Sequence, residues 1–369
     1  MTRLPALLAL LTACTLASLP AHTFATTLSY GSPLPSTHVL NKNAIQPFLK
    51  RLEEKSDGDL SWRFYPGGTT AKLPAVMGSI RSGIVDSGYM IDSLTLAEQS
   101  YNVMVSRMGT FGKDPMVMAG VANELLLLEC PQCTQQLTDQ DIVPLAYVTT
   151  TPFLLICRDR YNNVEELKGK RFRSPGSYGE IASMLGAVPV NVPPTDTFEA
   201  LQRGQADCTF GPEGHLTNYS LYEVTHYVID YSFGMYISGS LFNMNKRTWT
   251  SLTDDERGLI LDQLPHLVAS GVRAYQQEAD EARAIAKESG VTYMAAPPGV
   301  EAVTERYRAN LIDSIDKDAR ARGIDDIRPI LEKFQPLVSK WKALVEQIDH
   351  DPRKFEELLA REIYDHYRR

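Results

Sequence analysis

Apolar and polar positions along the chain switch repeatedly between a two-residue and a 3.6-residue period, the mark of strands alternating with helices. Thr27-Leu28-Ser29-Tyr30 reads as a short strand that ends in a loop over 31–36. A helix follows from about residue 37, with Ala44, Ile45, Phe48, Leu49 and Leu52 on one apolar stripe. Ser56-Asp57-Gly58 stops it, and residues 60–65 alternate as a strand into the turn Pro66-Gly67-Gly68. A second helix over about 73–82 leads to a strand at Ile84-Val85-Asp86. The leucine run from Leu125 to Leu128 reads as buried helix, and residues 144–157 as strand. Arg171-Phe172-Arg173 is a further strand, broken by Ser174-Pro175-Gly176-Ser177 and followed by a helix from about Tyr178. After Val188-Pro189-Val190 come a helix over about 195–203 and a strand over 206–210. This second series restarts the logic of the first, so two similar α/β lobes are expected.

Thr253-Asp254-Asp255-Glu256 is a capping box, with hydroxyl and carboxylate placed to satisfy free amide donors. Pro265 is expected to end or kink the helix it opens. A long helix then runs over about 266–289 to Gly290, enough at about 1.5 Å per residue to cross both lobes. Beyond it the chain is helix-rich, and Phe334, Leu337, Trp341 and Leu344 form a packing stripe at helical spacing.

The first 25 residues do not belong to this pattern. Arg3 is their single charge, an interrupted apolar stretch follows, and Thr23-Phe24-Ala25 offers small residues around a cleavage point. They read as a secretory signal peptide cut after about Ala25. Leu11-Thr12-Ala13-Cys14 also resembles a lipobox, although apolar character continues past Cys14. No later stretch is long and apolar enough to span a bilayer, so a soluble exported protein is expected. Export fixes the redox context of Cys130, Cys133, Cys157 and Cys208. Three pairings are open. Cys130-Pro131-Gln132-Cys133 has redox-motif spacing without redox-motif surroundings, and reads as a small structural disulfide that a Cys157–Cys208 bridge would accompany.

Composition narrows the class. The 369 residues are 43% hydrophobic and 22% charged, the balance of a globular protein of about two domains. The net charge of −8 argues against nucleic acid as a partner, which calls for a basic face. The seven histidines show no pairing at metal-ligand spacing, so neither a metal nor a cofactor is expected. Gly176-Ser177-Tyr178-Gly179 departs from a nucleophile elbow, with Pro175 and Ser174 in the preceding positions. No phosphate loop, HExxH or dinucleotide fingerprint is present. The residues give no reason to expect an enzyme.

Phe64-Tyr65-Pro66-Gly67-Gly68 and the segment ending Ile80-Arg81-Ser82-Gly83-Ile84-Val85-Asp86 resemble the amino-terminal lobe of the TRAP-transporter solute-binding proteins of the DctP family. Leu167-Lys168-Gly169-Lys170-Arg171-Phe172-Arg173 is similar to that family's most recognisable run. Leu185-Gly186-Ala187-Val188-Pro189-Val190 and the stretch from Phe198 to Asp207 match the next two, and Asn245 to Leu252 the run before the long helix. The segments keep the family's order across nearly the whole chain.

The resemblance implies a two-lobed fold of the type II periplasmic-binding-protein kind. Each lobe is a mixed sheet flanked by helices, and a long helix spans both. It implies residues 26–149 with 239–278 as lobe I, and 150–238 with 279–369, a helical carboxy-terminal extension included, as lobe II. Crossovers are expected near 148–151 and 236–239. The function implied is a periplasmic receptor, monomer or homodimer, that closes on a small organic acid and delivers it to a TRAP-type membrane permease. A secreted hydrolase, or the ligand-sensing partner of a periplasmic sensor domain, are the alternatives from other classes.

In the family the last residue of the Gly-Lys-x-x-Arg run clamps the ligand carboxylate, which here implies Arg173. The chemistry suits the role, since a guanidinium is a rigid fork that matches a carboxylate and keeps its proton. On composition alone, pairing with a structural acid at a strand end is the better explanation of Arg173, and the resemblance reverses that order. Two departures stand out. Phe153 occupies the position of a second Arg found in many members. In Asp207-Cys208-Thr209-Phe210-Gly211-Pro212, Phe210 replaces a Glu and Gly211 an Asn that assists the carboxylate. Fewer polar partners predict a hydrophobic or aromatic monocarboxylate. Placement at strand ends adds Tyr30 and His38 beside the first loop, Tyr89 after the Asp86 strand, Tyr178 after Arg173, and Phe233 in the return segment.

Overall fold

The computed structural model describes residues 26–70 and 72–367, so the expected signal segment with Cys14 lies outside the described residues. The alternating pattern resolves into strands β1 (Thr26–Gly31), β2 (Leu60–Tyr65), β3 (Ser87–Ile91), β4 (Ile142–Val148), β5 (Leu154–Cys157), β6 (Arg171–Arg173), β7 (Val188–Val190), β8 (Cys208–Gly211), β9 (Tyr227–Ile229), β10 (Gly239–Asn245) and β11 (Thr292–Met294). They build two mixed sheets flanked by helices, in the orders β2-β1-β3-β10-β4 and β11-β9-β5-β8-β6-β7. In the first sheet β1 runs parallel to β2 and β3, while β10 is antiparallel to its neighbours. In the second, β6 lies parallel between β7 and β8, which sets Arg173 opposite Val190 and Thr209.

Residues 144–157, expected as one strand, divide into β4 of the first sheet and β5 of the second. Pro152 explains the break, because it has no N–H to give a ladder. The chain returns to the first sheet between β9 and β10, and the two connections lie side by side. Thr150 N donates to Tyr236 O at 3.0 Å, Phe153 N to Gly234 O at 2.7 Å, and Phe233 N to Phe153 O at 3.0 Å.

The strand expected at Ile84-Val85-Asp86 begins instead at Ser87. Gly83, with φ 76°, caps the helix Val76–Ser82, and Ile84 N turns back to Ser79 O at 2.9 Å. Asp86 is then fixed by side-chain bonds, accepting from Ser29 N at 2.8 Å and from the Thr248 hydroxyl at 2.9 Å. Only after this turn does the chain enter the sheet. A Cβ at Gly88 would meet Gly31 O at 2.6 Å, so this small-residue strand is set by close backbone approach rather than by alternation.

The capping box at Thr253 opens one unbroken helix, Asp254–Glu288, and Pro265 does not end it. Ile260, Leu264, Leu267 and Val268 around the proline are fully buried, and that burial outweighs the single backbone bond the proline removes. The helix serves both sheets. A Cβ at Gly271 would touch Val148, Leu241 and Leu40, whereas Arg283 pairs with Glu213 at 2.7 Å and Asp230 at 3.0 Å on the second-sheet side.

The carboxy-terminal helices depart from expectation. Val300–Ala309 packs against Tyr178–Met184 on the second-sheet side, whereas from Phe334 onward they pack on the first-sheet side, against the helix Pro115–Glu124, rather than extending lobe II. Trp341 is fully buried and its Nε1 donates to Glu124 at 2.7 Å. Tyr364 and Tyr367 donate to the β4 carbonyls of Leu145 and Pro144, at 3.2 and 2.6 Å. The physical reason is an apolar face on Pro115–Glu124, buried along nearly its whole length, that needs a cover. Cys130–Cys133 and Cys157–Cys208 are disulfide-bonded, the second across directly paired residues of β5 and β8. Among the described residues, no helix is long and apolar enough to cross a membrane.

Candidate functional site

Where the ends of β3, β6 and β8 meet the crossover segments and the long helix, they enclose a cavity of about 380 Å³. That lies within the range of small-molecule sites, ~300–1,000 Å³. The first-sheet side contributes Leu34, His38, Tyr89, Ile91 and Ser93; the second-sheet side contributes Arg173, Asn191, Val192, His215 and Tyr219. Phe153, Thr150 and Tyr236 come from the crossovers and Tyr275 from the long helix. Prolines 175, 189, 193 and 194 stiffen the rim on the Arg173 side.

Arg173 is 2% exposed at the end of β6. Its Nε donates to Val192 O at 2.9 Å and its Nη1 to Phe210 O at 3.2 Å. Both acceptors are neutral carbonyls, which orient the guanidinium without neutralising it. Burial pulls its pKa down to about 10, still well above neutrality. Among the described residues no carboxylate pairs with it, so the structural-acid explanation fails here. Two residues earlier the contrast is plain, because Arg171 is half-exposed and pairs with Asp207 at 2.9 Å.

The other titratable groups of the wall are neutral. Burial lowers His38 to about 4, and burial reinforced by the Arg173 charge holds His215 well below the ordinary imidazole value. Burial raises the phenols of Tyr89, Tyr219, Tyr236 and Tyr275. Among the described residues no Asp, Glu or Lys lines the cavity. Behind the wall, Asp92 is pushed up to about 6 by burial; it accepts from Tyr236 Oη and, at 2.6 Å, from Ser238 Oγ, which fixes the Tyr236 ring. The cavity therefore presents one buried positive charge among apolar surface and neutral hydrogen-bonding groups. A ligand with one anionic group and an apolar body complements it.

Of the residues singled out in the sequence, Arg173, Phe153, Tyr89 and His38 meet at this cavity. Tyr178, Phe210 and Phe233 stand one layer behind. Phe153 stacks on Tyr178 at 4.7 Å, Tyr178 leans on Phe210 at 5.5 Å, and Phe210 meets Phe233 edge-on at 4.9 Å. Phe210 reaches the site only through the carbonyl that holds Arg173. Gly211 lies under the His215 ring. Tyr30 is not at the cavity: it is fully buried in the first-sheet core against Phe64 and Phe242, with its hydroxyl on Leu241 O at 2.6 Å. Period-2 alternation put its side chain on the core face of β1 rather than at the strand end.

His215, Tyr219, Tyr236, Tyr275 and Asn191 escaped sequence reasoning. Tyr236 carried a partial signal, since it falls in an expected crossover. Tyr275 sits on the buried stripe of the long helix, where periodicity gives burial but not the identity of the neighbour.

Comparison with known proteins adds a frame. The family described as DctP, bacterial extracellular solute-binding protein, family 7, matches residues 30–315. A marine-metagenome TRAP solute binding protein specific for aromatic acid ligands, from an unidentified microbe and in complex with metahydroxyphenylacetate, is 21% identical with a TM-score of 0.76, covering 85% of this chain and 99% of that one. A TRAP periplasmic solute binding protein from Bordetella bronchiseptica, with bound (R)- and (S)-mandelate, is 18% identical with a TM-score of 0.73 over 85% and 99% of the two chains. One from Rhodoferax ferrireducens T118, in complex with copurified benzoate, is 21% identical with a TM-score of 0.73 over 87% and 99%. Likeness at these identities establishes the two-lobed fold.

Proposed function

Since the chain belongs to family 7 of the bacterial extracellular solute-binding proteins, the DctP family, we propose that it is a periplasmic receptor for a small aromatic or hydrophobic monocarboxylate, which it hands to a TRAP-type permease. One observation carries the choice of ligand: Arg173 is buried at the cavity with carbonyl supports and no acid of its own. A buried guanidinium without a counter-ion is costly, and a bound carboxylate removes that cost. A dicarboxylate would bring a second charge that no second cation of the described lining faces, and Phe153, Leu34, Ile91 and Val192 favour an apolar body over the hydroxyls of a sugar acid. The three related structures, holding metahydroxyphenylacetate, mandelate and benzoate, support the same class.

The reading makes the first 25 residues an export signal, and the two sheets lobes that close about the crossovers. The ligand must then favour the closed arrangement by differential affinity. It assigns no catalytic residue.

A thermal-shift panel on the mature protein tests it. Benzoate, 3-hydroxybenzoate and mandelate are expected to raise the melting temperature by mass action, and succinate and glucuronate to leave it unchanged. The largest shift from succinate or glucuronate, or none from any acid, would overturn the reading.

A further inference from the structure

We propose that His215 is the second donor to the ligand carboxylate, a neutral imidazole set beside Arg173 in the room that Gly211 leaves by having no side chain. The proposal rests on the cavity being an acid-binding site, as argued above.

Geometry carries it. The chain leaves β8 at Gly211 and, after Pro212, Glu213 and Gly214, enters the short helix His215–Asn218. A Cβ at position 211 would lie 2.6 Å from Nδ1 of His215, 3.3 Å from Cε1 and 3.4 Å from Cγ. The ring therefore lays its Nδ1 edge on Gly211, and Nε2, which unlike Nδ1 is not a buried atom without a partner, is the ring nitrogen left for the cavity that His215 lines. A Cβ at position 214 would fall 2.0 Å from Oε2 of Glu278, so the turn runs close against the long helix. Tyr219 packs edge-on to the ring at 4.8 Å and fixes its plane.

The hydrogen-bond inventory supplies the direction of the bond. Nδ1 is buried and has no partner. A proton on Nδ1 would be a buried donor without an acceptor, so the tautomer protonated at Nε2 is favoured. Nε2–H then donates into the cavity. Burial and the adjacent Arg173 charge keep the ring neutral, so it adds a donor without a second charge. The ligand needs one. Arg173 already spends Nε and Nη1 on Val192 and Phe210 carbonyls, and a carboxylate has about four lone-pair positions to satisfy. Departure from the expected Asn at 211 thus accompanies a replacement four residues later.

The test is calorimetric titration of benzoate into wild type, His215→Leu, His215→Gln, Gly211→Ala and Arg173→Met, with unliganded melting temperatures alongside. His215→Leu should weaken benzoate roughly ten- to hundredfold, the size of one hydrogen bond to a charged group. His215→Gln, which keeps a donor, should lose less. Gly211→Ala should weaken binding by displacing the ring, and should add little on top of His215→Leu. Binding by His215→Leu within twofold of wild type, with Arg173→Met inactive, would refute His215 and leave the site reading standing. Equal losses for Leu and Gln, tracking a drop in unliganded melting temperature, would mean a packing role and also refute it. No benzoate binding by wild type, or binding indifferent to Arg173→Met, would bring down the site reading and this proposal with it. The tautomer needs no variant: ¹⁵N chemical shifts showing the proton on Nε2 support the proposal, and a proton on Nδ1 overturns it.

Discussion

Glu278 lies where the long helix passes Gly214, accepting a hydrogen bond from the Asn218 side chain. Burial raises its carboxyl from the ordinary 4.5 to about 7, with the Asn218 bond pulling the other way. Between those values the folded protein holds a proton that the unfolded chain has released. Stability from this group is therefore full below about pH 4.5 and is lost as pH rises through 7. The loss is on the order of 3 kcal/mol for a shift of this size. Glu278→Gln should flatten that fall, a change visible in urea denaturation at pH 5, 6, 7 and 8; curves that stay parallel would refute it. At this scale the sequence was legible where a motif carried the chemistry, as with Arg173. His215 and Tyr275 were not legible, because they reach the cavity from chain segments separated by about 60 residues and only the fold joins them. Gly211 was visible as a missing side chain. What the missing side chain makes room for is a matter of coordinates.

Elements with strong periodicity or explicit caps came through, among them the helix from Thr253 and the β1, β2 and β6 strands. Those set by tertiary contact did not. Strand β3, Ser-Gly-Tyr-Met-Ile, has little alternation to read, and Asp86 upstream is held by side-chain bonds. The partner of the carboxy-terminal stripe was equally invisible, since Phe334, Leu337 and Trp341 announce a buried face without naming the surface that buries it. The answer lies at Gly120, where a Cβ would fall 2.1 Å from the Trp341 ring, so the indole sits directly on the helix Pro115–Glu124. Trp341→Ala should cost about 3–5 kcal/mol of unfolding free energy by denaturant titration. A cost below about 1 kcal/mol would mean that these helices do not belong to the cooperative core.

Across the whole molecule, ion pairs tie the two sides together next to the cavity. Arg107, from the first-sheet side, is 7% exposed at its side chain and reaches Glu180, on the helix Tyr178–Met184 that follows Arg173, at 2.7 Å. It also reaches Asp318 at 3.4 Å. Arg308 adds a second tie, donating to Thr110 O at 2.7 Å and to Ser232 O at 3.0 Å. If the lobes close on their ligand, these contacts hold the closed arrangement, and Arg107→Met should raise the ligand dissociation rate roughly five- to tenfold in stopped-flow displacement. An unchanged rate would place closure elsewhere. All of this presupposes that the cavity exists to take one carboxylate onto Arg173. The most direct measurement is calorimetric titration of the tightest-binding acid of the panel into wild type and Arg173→Met. A loss of about a hundredfold or more is predicted, because the variant removes, from a buried position, the one charge that the described lining residues present to the ligand. Affinity within a few-fold of wild type would contradict the account.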